Sequence, residues 1–314
     1  MAEAGTVLYY IVTLFAASIR MAVPLTLAGL GESFSERSGV LNIGLEGIML
    51  SGAFFSFMAA YITQSIIVGV IFGCFGGLLI SMIHAYMSFK CYVDQVIVGI
   101  ALNFFSLGLT SFLFMAYFGR TTTVPQCPVV KPIRIPLLSD IPIVGDVLFN
   151  QDIFVYFMIF ACFVSYIILY KTVWGTNIDA IGEHPKAADT VGLNVKKTRY
   201  ITAIINGCLG GLGGAYLTLA LLGFFMENIT SGKGFIALVV VILGRRHPFG
   251  VLFAALLVGA AEALQYRLQT LGSGLPSQVF IMLPYVVTVI VLLFSIGKSS
   301  DPAALGISYK RSSR

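Results

Sequence analysis

The chain has 314 residues, 58% of them hydrophobic and only 11% charged, against roughly 45–50% and about 25% in ordinary globular proteins. With 25 phenylalanines and a mean hydropathy of +0.93, it has too little polar surface to coat a soluble particle. That excludes a soluble enzyme, a disordered chain and a secreted disulfide scaffold, and it indicates an all-α polytopic membrane protein. The net charge of +5 comes without a basic run interleaved with aromatics, so it reports topology rather than nucleic acid. Five scattered cysteines (Cys74, Cys91, Cys127, Cys162 and Cys208) give neither a disulfide framework nor a metal-ligand spacing. The N-terminus, MAEAG, lacks the basic region and cleavage site of a removable signal peptide.

Apolar runs predict about nine spanning or partly spanning helices, at 7–30, 38–63, 66–88, 95–118, 152–170, 200–222, 235–244, 249–266 and 277–297. The first carries Arg20, four residues before Pro24. The second begins SGVLNIGLEG, with Asn42 and Glu46 among glycines, so its first turns are expected to be broken or re-entrant. The third repeats Gly69, Gly73 and Gly77 on one helix face, and 200–222 holds Gly207, Gly210, Gly211, Gly213 and Gly214. Both read as close helix–helix packing surfaces. The run 235–244 would be only ~15 Å of helix, too short for a hydrocarbon core of ~30 Å. It is expected to be a half-helix buried among its neighbours, because irregular backbone cannot face lipid. It and 38–63 are a weak internal echo of each other, as in inverted repeats around a midplane path.

Between these runs lie a Pro-rich loop at 119–151, a polar loop at 171–199 and a tail at 298–314. The first reads equally as a spacer or a docking surface for an external partner. Placing 171–199 and the tail in the cytoplasm puts thirteen Lys and Arg on that side and five on the other, which obeys the positive-inside rule and sets the N-terminus outside. Within 171–199, His184-Pro185 opens a short helix and Gly192 closes it, with Pro first and Gly just past the end. Ala187, Ala188 and Val191 supply an apolar face, with Glu183, Lys186 and Asp189 on the polar edges. About two turns cannot stand alone in water, so this helix is either an interfacial linker or a lever that docks on another subunit.

Buried ionisable groups are costly unless paired or wet. Arg20 is expected to pair with a carboxylate, Glu46 or Glu262, or to face a solute path with them. Asn42, Asn103 and Asn206 donate and accept hydrogen bonds, which suits either a path for a hydroxylated or heterocyclic solute or interhelical contacts. Phe104, Phe105, Phe112, Phe114, Phe224 and Phe225 could stack on a base or simply face lipid and core. There is no phosphate loop, no Ser/His/Asp or Cys/His set, and the three histidines fall in different segments, so neither a catalytic residue nor a metal site is expected.

The runs SERSGVLNIGLEGIMLSGAF (35–54), AIGEHPKAADTVGLNV (180–195) and GKGFIALVVVILGRRHPFGVLFAALLVGAAEAL (232–264) closely resemble permease subunits of bacterial ABC importers. The family includes the ribose and branched-chain amino acid permeases, and the subgroup resembled is that of nucleoside, or simple sugar, importers. The resemblance covers almost the whole chain and implies one permease domain, 1–314, of the type II importer kind in the bacterial inner membrane. It makes Glu183, His184, Pro185, Lys186, Ala187, Ala188, Asp189 and Gly192 the coupling helix, seated in an ATP-binding cassette subunit that holds the ATP and Mg. It further implies an extracytoplasmic solute-binding lipoprotein and a second, non-identical permease chain. The implied solute is a nucleoside, with a simple sugar such as ribose, or riboflavin, as alternatives. An ion-coupled secondary transporter is the rival from another class, but it would have no need of a docking helix at 171–199.

Overall fold

The computed structural model describes residues 2–119, 124–134, 136, 139, 144–270, 276–295 and 301–310. Arg120, Lys298, Arg311 and Arg314 of the charge count lie outside them.

Helix α1 (Ala2–Arg37) has 36 residues, about 54 Å at 1.5 Å per residue, and continues through Pro24 where 7–30 was expected. The stretch 38–44 is then non-helical, and α2 (Leu45–Thr63) starts only after it. The glycine-interrupted start of 38–63 is therefore broken as expected. Helices α3 (Ile66–Phe89) and α4 (Gln95–Phe118) follow, and Asp94 caps α4 by accepting from the N–H groups of Val96 and Ile97. This is the usual means of satisfying the free donors of a first turn.

The Pro-rich loop is partly structured. A short helix α5 (Val144–Leu148) and two paired strands, β1 (Ile133–Arg134) and β2 (Asn150–Gln151), lie within it. Cys127 N–H donates to the Gly223 carbonyl (2.9 Å) and Val130 N–H to the Leu219 carbonyl (2.8 Å). The segment thus folds back on the bundle instead of hanging free.

Beyond it come α6 (Ile153–Lys171), α7 (Val173–Glu183), α8 (Pro185–Thr190) and α9 (Val195–Tyr216), which continues as a π-helical stretch over Leu217–Leu222. The polar loop 171–199 is thus mostly helix. Helices α10 (Lys233–Leu243), α11 (Pro248–Thr270), α12 (Ser277–Ile281) and α13 (Leu283–Ser295) complete the bundle. The interruption between α12 and α13 falls where Pro284 has no N–H to give the preceding turn. Among the described residues, seven helices are long and apolar enough to cross a membrane, and Lys233–Leu243 and Ser277–Leu293 are shorter apolar helices. Each overlaps one of the expected segments.

The core is a post of α1, α2 and α9 with the other helices around it. Some 78% of the α2 span is buried, against 28% for α4, so α4 is peripheral. Glycine sets the spacing where α3 and α2 pack on α9. A Cβ at Gly77 would overlap the Gly207 carbonyl, one at Gly211 the Gly73 carbonyl, and one at Gly214 the Met49 carbonyl. Gly69 instead faces Ala60 and Ser56 of α2. Gly211→Val should therefore force α3 and α9 apart, and loss of a monodisperse, inserted protein checks it. A folded Gly211→Val protein of unchanged thermal stability would refute this packing.

Candidate functional site

The two glycine-interrupted segments meet inside the bundle. Glu46, in the first turn of α2, accepts hydrogen bonds from the Thr230 hydroxyl (2.5 Å) and from the N–H groups of Gly232 (2.8 Å) and Gly234 (2.6 Å). These donors lie at and before the N-terminus of α10, where unsatisfied N–H groups and the helix dipole favour negative charge. The approach requires glycine, because a Cβ on Gly234 would overlap the Glu46 backbone. Nearby, Lys233 pairs with Glu262 of α11. Both carboxylates expected as partners of Arg20 are thus otherwise engaged. The Arg20 charge instead acts on Asp152, which also accepts from the N–H groups of Phe154 (2.9 Å) and Val155 (3.1 Å) and from the Tyr216 hydroxyl (3.1 Å).

Glu46 also forms one wall of a cleft of about 260 Å³ with Leu50, Ile100, Asn103, Phe104, Leu107, Asn228, Gly232 and Phe235. Asn103 braces the broken segment: its carbonyl oxygen accepts from the Gly47 N–H (2.8 Å) and its amide donates to the Ile43 carbonyl (3.0 Å). Phe104 is 71% exposed on this side. Of the four polar residues expected along a path, the structure brings Glu46 and Asn103 to one cleft. Asn42 and Asn206 are elsewhere. Both are buried beside Glu32 of α1, which accepts from the Asn42 backbone N–H (2.9 Å) and the Asn206 side-chain amide (2.5 Å), while the Asn42 side-chain oxygen accepts from the Gly44 N–H (3.0 Å). They tie chain segments to α1 and are not among the residues lining that cleft. Phe225 and Phe114 pack with Phe57 in an aromatic cluster, with centroids 5.5–6.2 Å apart, so they are core.

At the end of the bundle where α1 stops, α8 projects between α7 and α9. Pro185 begins it, and Gly192 (φ +91°) ends it in a Schellman arrangement: the Leu193 N–H donates to the Ala188 carbonyl (3.0 Å) and the Gly192 N–H to the Asp189 carbonyl (3.1 Å). The expected apolar face is divided. Ala188 is buried against Ile181 and Val195, whereas Ala187 is exposed and Val191 is 78% exposed. Ala188 therefore anchors the helix, and Ala187 and Val191 face outward.

Beneath α8, Arg37 forms a bidentate pair with Asp179 (2.7 and 2.5 Å) while its guanidinium lies over Tyr170. Arg246 joins Glu36 and Asp301, each at 2.5 Å. Sequence reasoning missed Glu32, Glu36 and Arg246. A signal was present in GESFSER, which sets Glu32 and Glu36 four residues apart on one helix face, opposite the Arg245-Arg246 pair. His247, just beyond, has its pKa lowered by burial and by the Arg37 charge.

The fold has a solved counterpart. A structure described as "an inward-facing conformation of a putative metal-chelate type ABC transporter" aligns with a TM-score of 0.51 at 15% identity, over 90% of this chain and 85% of that one. At that identity it shows the fold alone. The family described as "Branched-chain amino acid transport system / permease component" matches residues 14–294. The chain belongs to this permease family. The guanosine ABC transporter permease protein NupQ of Bacillus subtilis (strain 168) is 39% identical over 313 residues, covering 95% of this chain and 96% of its own. The nucleoside ABC transporter permease protein NupC of Lactococcus lactis subsp. cremoris (strain MG1363) is 34% identical over 302 residues, covering 93% and 94%.

The protein is thus a multi-pass permease subunit of an ABC transporter and not an enzyme. In such transporters, ATP hydrolysis lies in a separate subunit.

Proposed function

We propose that this permease serves an importer of neutral nucleosides, forming half of the path with a second, non-identical permease chain. Glu46 carries this reading. In membrane transporters the N-terminus of an interrupted helix is a ready receptor for an anionic group of the solute. Here the protein's own carboxylate fills that place with three hydrogen bonds, so these donors are already engaged and do not call for a solute carboxylate or phosphate. The exposed ring of Phe104 on the same cleft offers a face to a heterocyclic base, and stacking of this kind is worth about 1–3 kcal/mol per base in single-strand binders. The names of the two relatives point to the same solute class.

In this reading the N-terminus lies outside and α8 faces the cytoplasm, where it seats in the ATP-binding cassette subunit with its ATP and Mg. An extracytoplasmic binding protein delivers the solute. Uptake of labelled guanosine by cells carrying the transporter tests it. Unlabelled neutral nucleosides should compete, and nucleoside monophosphates and branched-chain amino acids should not. Competition by leucine and not by nucleosides would overturn it.

The outward positions of α8 give a second test. Ala187→Glu with Val191→Glu should abolish co-purification with the ATP-binding subunit while leaving insertion intact, since neither side chain is part of the inner cluster. Unchanged co-purification would show that α8 is only a linker.

A further inference from the structure

The segment past the last helix is tied down along its length. The Ala304 N–H donates to the Gly182 carbonyl near the end of α7 (2.9 Å), and the Gly306 N–H to the Gly39 carbonyl just past α1 (3.2 Å). Arg199 of α9 donates from Nη1 to the Ile307 carbonyl (3.1 Å), and Tyr309 packs against the cluster of Ile181, Ala188 and Val195 that joins α7, α8 and α9. Asp301 meets Arg246, whose Nε holds Glu36 of α1.

Two glycines make room for this. Gly39 has φ +82°, and a Cβ there would stand 2.8 Å from Arg199 Nη2 and 3.0 Å from the Ala304 carbonyl. A Cβ on Gly182 would overlap the Arg37 carbonyl and press on Pro302. Pro302 and Ala304 are buried. The segment is a built part of the bundle end.

We propose that residues 301–310 are a strap that carries displacement of α8 into the ends of α1, α9 and α11. This rests on α8 being the helix that meets the ATP-binding subunit. By itself α8 is badly placed to transmit load. It has six residues, its inner contact is Ala188, and its far end turns at Gly192, around which a Cβ would meet nothing within 4 Å. A push on α8 would be absorbed by bending there. The strap supplies the second attachment. It grips the end of α7 and the flank of α8, then runs to Arg246, which holds α1 at the base of α11. Coupling of this kind needs a contiguous chain of packed and hydrogen-bonded groups, and the strap completes one.

The test uses the assembled transporter in proteoliposomes, with the permease ended at residue 300 or carrying Asp301→Lys, which sets like charge against Arg246 at a half-exposed position. The strap predicts that the ATP-binding subunit still co-purifies and still hydrolyses ATP, while solute moved per ATP falls at least about fivefold, the low end of typical coupling factors. Unchanged transport per ATP in either variant overturns the proposal. So does loss of co-purification in Asp301→Lys, which would make the segment a docking surface. Should the shortened chain fail to insert, Asp301→Lys decides alone. Failure of the underlying reading is separate: there the paired α8 variant, Ala187→Glu with Val191→Glu, would leave co-purification intact.

Discussion

Arg246→Met is expected to destabilise the permease by about 3–5 kcal/mol, the range measured when one partner of a buried ion pair is removed. The Glu36 side chain is only 2% exposed and that of Arg246 6%, so the carboxylate cannot recover its hydration once the guanidinium is gone. Glu32 lies one turn away on the same helix and is also buried, so the pocket already holds a second carboxyl group. Heat-induced aggregation in detergent should shift downward by about 10 °C, taking 2–4 °C per kcal/mol. The double variant Arg246→Met with Glu36→Gln should recover most of the loss, because the charge that was left unpaired is then absent. A single variant as stable as the parent would show that the pair contributes no more than a surface bridge, about 0–1 kcal/mol.

Glu46→Ala should have the larger effect on transport. It orphans the Thr230 hydroxyl and the N–H groups of Gly232 and Gly234, at about 1–3 kcal/mol for each buried group left unsatisfied. If half of that cost falls on states of the transport cycle, uptake drops by about a hundredfold, since each 1.4 kcal/mol is tenfold. Glu46→Gln keeps one acceptor oxygen and should lie between the two. The alanine variant also bares the positive end of α10 toward the cleft. Nucleoside monophosphates, inert toward the parent, should then inhibit the remaining uptake. Uptake near the parental level in Glu46→Ala would mean that the carboxylate neither anchors α10 nor guards the path.

Much of the architecture was legible in the sequence because bilayer thickness is a hard ruler. Runs of about 20 apolar residues must be helices, and a ten-residue run between glycines can only be a half-helix held by its neighbours. The broken start of 38–63 was visible for the same reason, since glycine, asparagine and glutamate together cannot face lipid. The site was legible in part. Glu46 and Asn103 reach a common cleft, whereas Asn42 caps the Gly44 N–H and Asn206 meets Glu32, and no local pattern distinguishes an asparagine facing a cavity from one facing its own backbone or a buried carboxyl. That choice depends on how far 38–44 folds back along α1, which is a tertiary fact. The division of the apolar face of α8 into an inner Ala188 and an outer Ala187 and Val191 was hidden for a related reason. With two turns of helix and three small apolar residues, the inner face is set by what α7, α9 and the strap present, and periodicity within the helix cannot supply it. Arg246 and Glu36 were hidden by more than two hundred residues of intervening chain.

Reconstitution bears most directly on whether this chain is the passive half of an ATP-driven machine. Proteoliposomes carrying the two permease chains should show no uptake of labelled guanosine down or against a gradient. Adding the ATP-binding subunit, the binding protein and Mg-ATP should start it, and a hydrolysis-deficient subunit should not. Solute flux through the permease chains alone, or flux driven by an ion gradient without ATP, would contradict the assignment.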